Sequence, residues 1–577
     1  MYFGAVKRIY SQAPFIMSVF LLLAFSLKNL REPDLWWQLR TGEWILQNKT
    51  VPTTDPFSFT HEGESWLNIK WGFEICIAWI TQVSGPDNII LFQVIQGILL
   101  WICLKKWCRE NETYSPFSFL LMSIPVLMII QFRLSGRPEI ISFLLSVFFV
   151  YLFERHLKTK GHHIWWLIPL QIIWCNFHEA FGLGPVIGLI YLLAYFIQNK
   201  KWSWTYTFIF LALIGSTLIN PRVHLLPLRA LNIFNQLQVN KFTTELVSIL
   251  SPLYWVYESI LFIPFISLTG YLMVLQFKSK EASPFSLGYF GVIAATTILS
   301  LMAFRNIVFP VLLAFPFLMH SLKPLQQKLT PYWWMGITLS GIFYFMIVSN
   351  KYYQLIGSRD RYGLEVRSLN NPVGAAQYLK NIGADDERIF SDYLTSSYLL
   401  WRLQPGFKTY IDLRDLDVFN KAFFKNYFQV ANDPNQFHLL DQKMNFKHVV
   451  LYRQSHQALH RYLYTDSIYA CVYADPVAMV YSKTDSFSRN DIFSRPPEFE
   501  QSSLAFMISK IFNPFYAPTD YSELDIDWMA GQYYYQVGRI LLSEARIRTY
   551  LSNHPEDENA QNLIKEIEKI KGLNKPF

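Results

Sequence analysis

Asp34 is a candidate base, because it lies where the first long apolar run would leave the bilayer. A carboxylate at the point where a helix leaves a bilayer is partly desolvated, and desolvation makes it a better proton acceptor. Trp36 and Trp37 come next, and tryptophans in this position are expected to hold the loop at the level of the lipid headgroups. The alternative is that Asp34 and Asp55 only cap helices or turns beside the prolines that neighbour them, and position alone favours neither explanation.

Four polar segments interrupt the apolar sequence further along the chain, at residues 133–139, 176–179, 220–224 and 304–306. Ionisable side chains at membrane depth are costly and tend to face a cavity or a partner, so four such breaks on one face predict a polar, basic cavity. Arginine grips phosphate through two parallel charge-assisted hydrogen bonds, which makes a phosphate the expected ligand. The predicted substrate-binding residues are Arg133, Arg137, His178, Glu179, Asn220, Arg222, His224, Arg305 and, in the first loop, Asp55.

Each member of this set has a simpler explanation when it is taken alone. Arg137 or Arg222 at a helix end can reach the lipid headgroups by snorkelling, and for a single arginine that is the better explanation. His178 and Glu179 can form a satisfied hydrogen-bonded pair, since a metal would need a third ligand. No cofactor is expected, and the spacing does not indicate a divalent metal. The cluster as a whole therefore carries more weight than any of its members.

The composition of the chain predicts a membrane protein. Of 577 residues, 52% are hydrophobic and 16% are charged, whereas soluble domains carry about 25% charged residues. The formal net charge of +8 is expected from cytoplasmic loops rich in Lys and Arg, so no nucleic-acid partner is inferred. The five cysteines show no metal-ligand spacing and imply no disulfide framework.

Eleven apolar segments are candidates to cross the roughly 30 Å hydrocarbon core of a bilayer. They lie near residues 13–30, 88–106, 116–132, 138–154, 164–178, 180–198, 203–219, 255–277, 284–303, 305–320 and 332–350. A twelfth, Lys70 to Val83, is short and charged, and the loops obey the positive-inside rule only if it lies at the interface. The N-terminus is then cytoplasmic, while the loops 31–87 and 220–254 and the C-terminal region are external. The first apolar run is interpreted as a membrane helix, because no small-residue cleavage site follows it.

The C-terminal part of the chain reads like ordinary globular protein. Short apolar runs at 388–390, 408–411 and 448–452 alternate with helical patterns, and a hairpin is predicted through 469–472 and 478–481. This alternation predicts an external α/β domain over residues 351–483, after a membrane domain over 1–350. Residues 484–519 are interpreted as a linker. Residues 520–577 form a predicted helical hairpin, in which the spacing of Gly538, Ala545 and Pro555 resembles one tetratricopeptide-type pair.

An acidic run, Asp412 to Asp417, lies inside the predicted α/β domain. It is interpreted as a solvated loop, in keeping with the usual behaviour of charge runs. No glycine-rich phosphate loop accompanies it, so no nucleotide-sugar site is expected.

Together these segments resemble bacterial membrane proteins related to the GT-C superfamily, the glycosyltransferases that use polyprenyl-phosphate-linked sugars. The resemblance rests on the loop from Asp34 to Thr60 and on the four breaks, and it covers roughly residues 10–350. It extends to residues 392–412, although this chain has Ser396-Ser397 and Leu413 where related sequences carry glycine. The resemblance implies a GT-C-like polytopic α-helical membrane protein, followed by the α/β domain and the helical hairpin. It also implies that Asp34 is the catalytic base, since an acid just after the first span has that role in GT-C enzymes.

The implied activity is inverting transfer of a sugar from a polyprenyl-phosphate carrier to a glycan, lipid or protein acceptor outside the cytoplasm of a bacterial cell. The expected location is the plasma membrane, with the lipid-linked donor and membrane lipids as partners. One alternative is a transporter or flippase of lipid-linked sugars, which would use the basic cavity without a base. Another is a non-enzymatic membrane scaffold that presents an external protein-binding domain.

Overall fold

A computed structural model describes residues 2–228, 247–252, 255–279, 283–414, 417–484, 492–521 and 524–573. The chain folds as two compact units whose segments alternate along the sequence. The membrane unit comprises Met1–Leu30, Leu67–Glu365 and Gln501–Tyr516. The α/β unit comprises Arg31–Trp66, Val366–Glu500 and Ala517–Phe577.

The membrane unit is helical throughout its described part. Its α-helices are Tyr2–Ser26, Trp71–Ser84, Ile89–Glu110, Pro116–Ile130, Glu139–Thr159, Leu167–Phe177, Leu183–Asn199, Trp204–Ser216, Tyr257–Ser279, Leu287–Met302, Val308–Ser321, Lys323–Leu329, Trp333–Val348, Lys351–Leu355 and Ser503–Phe512. Short 3-10 turns connect several of them, at Pro86–Asn88, Gln131–Arg133, His162–Trp166, Glu179–Gly182, Phe304–Ile307 and Thr330–Tyr332. Three of these turns are the polar breaks predicted from the sequence, so the breaks are tight connections between helices.

A helix coincides with each of the eleven predicted membrane spans. Among the described residues, 7 helical segments are long and apolar enough to cross a bilayer, and they are Pro86–Glu110, Pro116–Arg133, Glu139–Thr159, Glu179–Asn199, Tyr257–Ser279, Phe304–Ser321 and Lys323–Val348. Shorter apolar helices occupy three more predicted spans, at Gln12–Ser26, Trp204–Ser216 and Leu287–Met302. The prediction of a multi-pass membrane protein is confirmed. The interfacial position of Trp71–Ser84 and the orientation of the chain stay predictions, and most of the predicted loop 220–254 lies outside the described residues.

The α/β unit is built on a four-stranded sheet with strands β1 (Ile389–Ser391), β2 (His448–Tyr452), β3 (Tyr469–Ala474) and β4 (Ala478–Lys483). The strand order is β1-β2-β4-β3, with β1 parallel to β2 and the other pairs antiparallel. Its helices are Asp34–Asn48, Val373–Asn381, Ser396–Arg402, Lys421–Asn432, Pro434–Met444, Gln457–Thr465, Ile526–Gln536, Ile540–Asn553 and Glu558–Leu573. The predicted mixture of short strands and helices, and the predicted hairpin, are confirmed.

Residues 408–411, predicted as a strand, lie outside the sheet. Their backbone pairs with the first loop instead, because Thr409 donates its N–H to the carbonyl of Phe57 at 2.9 Å and accepts from the N–H of Phe59 at 3.1 Å. The first loop is therefore an integral part of the α/β unit, although it is separated from Thr409 by about 350 residues of sequence.

Trp36 fixes the helix Asp34–Asn48 within the same unit. Its ring stacks on Trp401 with centroids 4.8 Å apart, and its Nε1 donates to Asn371 at 2.6 Å. Trp36 and Trp37 are 1% and 3% exposed. The prediction that these two indoles lie among lipid headgroups is wrong, because protein side chains cover both of them.

The helix Ile526–Gln536 belongs to the core of the α/β unit, where Ala530, Tyr533 and Val537 are buried with residues of the sheet. A turn at Gly538, with a φ of 81°, leads into the helix Ile540–Asn553. The two helices approach closely, since a Cβ on Gly531 would stand 2.3 Å from a methyl of Ile547. Helices Ile540–Asn553 and Glu558–Leu573 share a small core of their own.

Asp475 closes the β3–β4 hairpin from a buried position. Its carboxylate accepts hydrogen bonds from the hydroxyl of Tyr473 at 2.8 Å and from the N–H groups of Val477 and Ala478 at 2.7 and 2.8 Å. Burial raises the pKa of Asp475 from 3.8 to about 6, in spite of these hydrogen bonds. The ionised carboxylate therefore costs stability, and the cost grows as the pH rises from 3.8 to about 6.

We expect Asp475→Asn to stabilise the α/β unit at neutral pH by at most roughly 3 kcal/mol, since one pKa unit corresponds to about 1.4 kcal/mol. The gain should shrink toward zero as the pH is lowered below about 3, where the carboxyl is protonated in both the folded and the unfolded chain. Melting midpoints at about pH 3 and pH 7 measure the effect. Asp433→Asn is the matched control, because asparagine caps the helix Pro434–Met444 as well as aspartate does. An equal gain at both pH values would contradict the assigned cause.

Candidate functional site

Asp34 is the first residue of the helix Asp34–Asn48 and is half-buried. One carboxylate oxygen accepts a hydrogen bond from Nε1 of Trp37 at 3.3 Å. The capping position is taken by Pro33, which makes no side-chain cap, so Asp34 is not the N-cap residue. Its place in the first turn nevertheless favours the ionised form, because the N-terminal end of a helix stabilises negative charge. An ionised carboxylate with solvent access is the state that a general base needs.

The helix that carries Asp34 is held at its other face by a polar clamp. Arg40 donates to Oε1 of Gln404 at 2.6 Å, and Glu43 accepts from Nε2 of the same Gln404 at 2.8 Å. Glu43 also accepts from Nε1 of Trp401 at 3.1 Å. Burial raises the pKa of Glu43, while these hydrogen bonds and the charge of Arg40 oppose the rise. Trp36, Arg40 and Glu43 share the face of the helix opposite Asp34, and their contacts fix the position of the helix that carries Asp34.

Asp55 lies deep inside the α/β unit and is 1% exposed. It accepts from the N–H of Phe57 at 2.8 Å and forms an ion pair with Nη1 of Arg414. Asp412 binds the same guanidinium through Nε at 2.8 Å and Nη2 at 2.7 Å. The two carboxylates hold the pKa of Arg414 above its usual value. We name this group of Asp55, Asp412 and Arg414 the buried triad, and its contacts give Asp55 a structural role.

The buried triad also corrects an interpretation of the acidic run at 412–417. Asp412 and Arg414 are 0% and 1% exposed, so this part of the run is not a solvated loop. The Arg414 guanidinium also lies over the rings of Phe57 and Trp66, at 5.3 and 5.0 Å from their centroids. It thereby joins Phe57 and Trp66 of the first loop to the segment after residue 408.

In the membrane unit, the structure brings three of the four predicted breaks together around Glu139. Arg133 forms an ion pair with this carboxylate at 3.4 Å, and both side chains are nearly buried. The charges of Arg305 and Arg137 also act on Glu139, and the side chain of His178 interacts with it. The rings of Phe132 and Phe304 lie 4.8 Å apart, so the break at 133–139 packs close to the break at 304–306. We name Arg133, Arg137, Glu139, His178 and Arg305 the basic cluster.

His178 and Glu179 each have a different principal partner in the structure. Nδ1 of His178 lies 2.7 Å from the hydroxyl of Ser142, which in turn accepts from Nε1 of Trp174 at 2.7 Å. Glu179 forms an ion pair with Lys70 at 2.9 Å. The helix Trp71–Ser84 also contacts the break at 176–179, because Nε1 of Trp71 donates to Oδ1 of Asn176 at 2.7 Å. The two residues are 105 positions apart in sequence.

Hydrogen bonds of the Asn220 side chain stabilise the backbone of the break at 220–224. Oδ1 of Asn220 accepts from the N–H of Arg222 at 2.7 Å, and its Nδ2 donates to the carbonyls of Thr217 and Val223 at 2.6 and 3.0 Å. Asn176 donates to the carbonyl of Ile219 at 2.9 Å, which places this break next to the one at 176–179. Arg222 is half-buried and His224 is exposed. Among the described residues, no group of three His, Cys, Asp or Glu side chains could hold a metal ion.

Several residues of this site were not predicted from the sequence. Glu139 lies in a predicted break, yet its role as the central counter-ion of the arginines depends on how the helices pack. Lys70 and Ser142 belong to helices or loops distant in sequence from their partners, and no local pattern identifies them. Asp34 belongs to the α/β unit and the basic cluster to the membrane unit.

The fold of the chain is shared with solved structures of an archaeal oligosaccharyltransferase from Archaeoglobus fulgidus. The apo form matches at 11% identity over 83% of this chain and 75% of that chain, with a TM-score of 0.57. A second structure shows AglB of this organism in complex with an inhibitory peptide and a dolichol-phosphate. It matches at 12% identity over 95% of this chain and 86% of that chain, with a TM-score of 0.53. A form tethered to an acceptor peptide with the NVT sequon matches at 11% identity over 88% and 78%, with a TM-score of 0.52.

No protein-family model and no curated protein sequence matches the chain. The structural likeness nevertheless supports the predicted fold of a polytopic helical protein with a C-terminal α/β region, since the match extends through both parts of the chain. The tetratricopeptide-like character of the last helices stays a prediction.

Proposed function

We propose that this protein is a membrane glycosyltransferase that moves a sugar from a polyprenyl-phosphate carrier to an acceptor outside the cytoplasm. The observation that carries the proposal is the basic cluster, in which Arg133 and Arg137 of the break at 133–139 come together with Arg305 of the break at 304–306. The shared fold supports it, because the archaeal protein of that fold was solved with a dolichol-phosphate bound.

The charges around the basic cluster suit a phosphate ligand. Arg133 pairs with Glu139, Lys70 pairs with Glu179, and the charges of Arg137 and Arg305 act on the same Glu139, so this region is rich in cationic side chains. Guanidinium groups beside membrane spans can neutralise the charge that grows on a departing lipid phosphate. Asn220, Arg222 and His224 lie on the adjoining break and extend the proposed substrate-binding surface.

Asp34 is the proposed base. It removes the proton of the acceptor as the acceptor attacks the anomeric carbon, while the lipid phosphate leaves from the opposite face with the bonding electrons. Attack opposite the leaving group inverts the anomeric centre.

The proposed location is a bacterial plasma membrane, with a cytoplasmic N-terminus and the α/β unit outside the cytoplasm. The distribution of Lys and Arg among the loops supports this orientation. The proposed partners are a lipid-linked sugar and a glycan, lipid or protein acceptor. The α/β unit and the tetratricopeptide-like tail are proposed to bind that acceptor.

We expect Arg137→Gln or Arg305→Gln to reduce transfer by about 10²- to 10³-fold, the usual cost of removing one group that stabilises transition-state charge. The measurement is release of polyprenyl phosphate from lipid-linked sugars, by the protein in nanodiscs supplied with membrane extract as the acceptor source. Loss of transfer with weakened polyprenyl-phosphate binding is the expected result.

Arg109→Gln is the matched control, because this exposed arginine lies against the ring of Tyr114 at the end of the helix Ile89–Glu110. It should leave transfer unchanged. Equal effects of the three substitutions would show that the loss comes from overall charge and not from the basic cluster.

A further inference from the structure

The helix Ser503–Phe512 has the reverse of the polarity expected for a helix on a soluble protein. Its inward face carries the small or polar residues Ala505, Ser509 and Asn513, all of them buried. The hydroxyl of Ser509 accepts from the N–H of Leu364 at 3.0 Å. Asn513 donates to the carbonyl of Val348 at 2.9 Å. Polar contacts therefore hold this helix to the membrane unit.

The outward face of the same helix is apolar. Its large side chains are exposed to an unusual degree, at Leu504 (38%), Phe506 (40%), Met507 (53%), Ile511 (64%) and, just beyond the helix, Phe515 (83%). We name these five residues the apolar face. A contiguous exposed apolar surface in a native protein marks a partner or a membrane.

The surroundings of the apolar face indicate which of these it meets. The ring of Phe512 lies 5.9 Å from that of Phe20, and its carbonyl accepts from the hydroxyl of Tyr344 at 2.5 Å. Tyr344 belongs to the candidate span Lys323–Val348, of which only 17% is buried within the protein. Leu339 and Phe345 on that span are 63% and 52% exposed. The apolar face thus continues the surface that a membrane span presents to lipid.

The length and the ends of the helix Ser503–Phe512 indicate how deeply it can lie in a bilayer. It has 10 residues, far fewer than the roughly 20 needed to cross a bilayer. Its first turn is capped by Ser502, whose N–H donates to Asp87 at 2.7 Å. Lys510 reaches back to the carbonyl of Pro514 at 3.2 Å. Capped polar ends with a large apolar side are the features of a helix that lies in the membrane interface.

We propose that Ser503–Phe512 is an interfacial membrane anchor whose apolar face inserts into the lipid leaflet beside the end of the span Lys323–Val348. The segment leaves the α/β unit at residue 500 and returns to it at residue 517. The anchor therefore attaches the C-terminal part of the chain to the bilayer at a second place, after the last membrane span.

Fluorescence quenching of the full-length protein in phosphatidylcholine nanodiscs tests this assignment. Bimane is attached to Met507→Cys or Ile511→Cys in a background carrying Cys76→Ala and Cys471→Ala, since these two cysteines are the only half-buried ones. Leu339→Cys on the exposed span is the lipid-facing control. Leu439→Cys, which is 59% exposed on the α/β unit, is the water-facing control.

We expect nitroxide-labelled phosphatidylcholine to quench bimane at 507 and 511 by at least half, as at 339, and iodide to have little effect. Position 439 should show the opposite pattern. Iodide quenching at 507 and 511 equal to that at 439 would overturn the proposal. Protection of both positions from both quenchers would also overturn it, because a protein would then cover the apolar face.

Discussion

Replacing Asp34 with asparagine is expected to lower sugar transfer by about 10²- to 10⁴-fold, the usual contribution of general-base assistance. Asparagine has the shape of aspartate and can keep the hydrogen bond from Trp37, so the helix should remain in place. It cannot accept a proton, and binding of polyprenyl phosphate should therefore change by less than about twofold, since that contact is made by the basic cluster. Single-turnover transfer and lipid-phosphate binding are measured on the same preparation.

Glu62→Gln is the matched control for this substitution. Glu62 is an exposed carboxylate of the same loop, and its ion pair with Lys408 lies at the surface, where such pairs contribute little. Unchanged transfer in Asp34→Asn would exclude Asp34 as the base. Binding of lipid phosphate without measurable transfer, in the unsubstituted protein as well as in Asp34→Asn, would favour a transporter of lipid-linked sugars, which needs the cavity alone.

Shortening the C-terminal tail distinguishes the scaffold alternative from both the glycosyltransferase and the transporter. Removing residues 520–577 is unsuitable, because it also removes Ala530, Tyr533 and Val537 from the core of the α/β unit. Ending the chain after residue 539 deletes only the last two helices. Loss of all function in that variant, together with full function in Asp34→Asn, would favour a scaffold that presents the tail to a protein partner.

Replacing Arg414 with methionine is expected to destabilise the α/β unit by about 3 to 5 kcal/mol, because it leaves two carboxylates buried without their cation. Asp55 and Asp412 have side chains 0% exposed, so water cannot replace the guanidinium. The melting midpoint of the α/β unit and its resistance to limited proteolysis measure the loss. A triple variant that also carries Asp55→Asn and Asp412→Asn should recover much of it, since no buried charge remains.

Arg402→Met serves as the control for this change. Arg402 is exposed and lies over the ring of Trp401 at 5.1 Å, so its loss should cost less than about 1 kcal/mol. A triple variant no more stable than Arg414→Met would mean that the guanidinium acts mainly through the rings of Phe57 and Trp66 and not through charge.

The features predicted correctly from the sequence are those set by local pattern. Apolar length predicted a helix at each of the eleven candidate spans, and short apolar runs predicted the strand His448–Tyr452 and the hairpin after it, because each is decided by side chains close together in sequence. The convergence of the breaks followed from topology, since breaks on one face of a bundle of spans share one end of it. Arg133 and Arg305 illustrate this, as 172 residues of alternating spans separate them.

The features predicted wrongly depend on partners far away in sequence. Thr409 reads as part of a strand because its neighbours are apolar, yet its backbone pairs with Phe57 and Phe59 of the first loop. The sequence predicts that Trp36 anchors the loop among lipid headgroups, because it follows a span. In the structure the ring of Trp401 stacks on Trp36 and covers it. The helix Ser503–Phe512 was missed despite a local signal, since Ser502 before an apolar run is a helix start and the prolines at 496 and 497 made the segment look like a linker.

The buried triad also constrains the order in which the protein can be made. Arg414 follows Asp55 by 359 residues, so at about 5 to 20 residues per second a ribosome needs roughly 20 to 70 s to supply the cation after the acid. During that interval the first loop has crossed or reached the membrane with Trp36, Trp37 and Asp55 still waiting for their partners. Insertion of the spans must therefore precede maturation of the α/β unit, and a chaperone that shields the early loop would shorten the delay between synthesis and a folded protein.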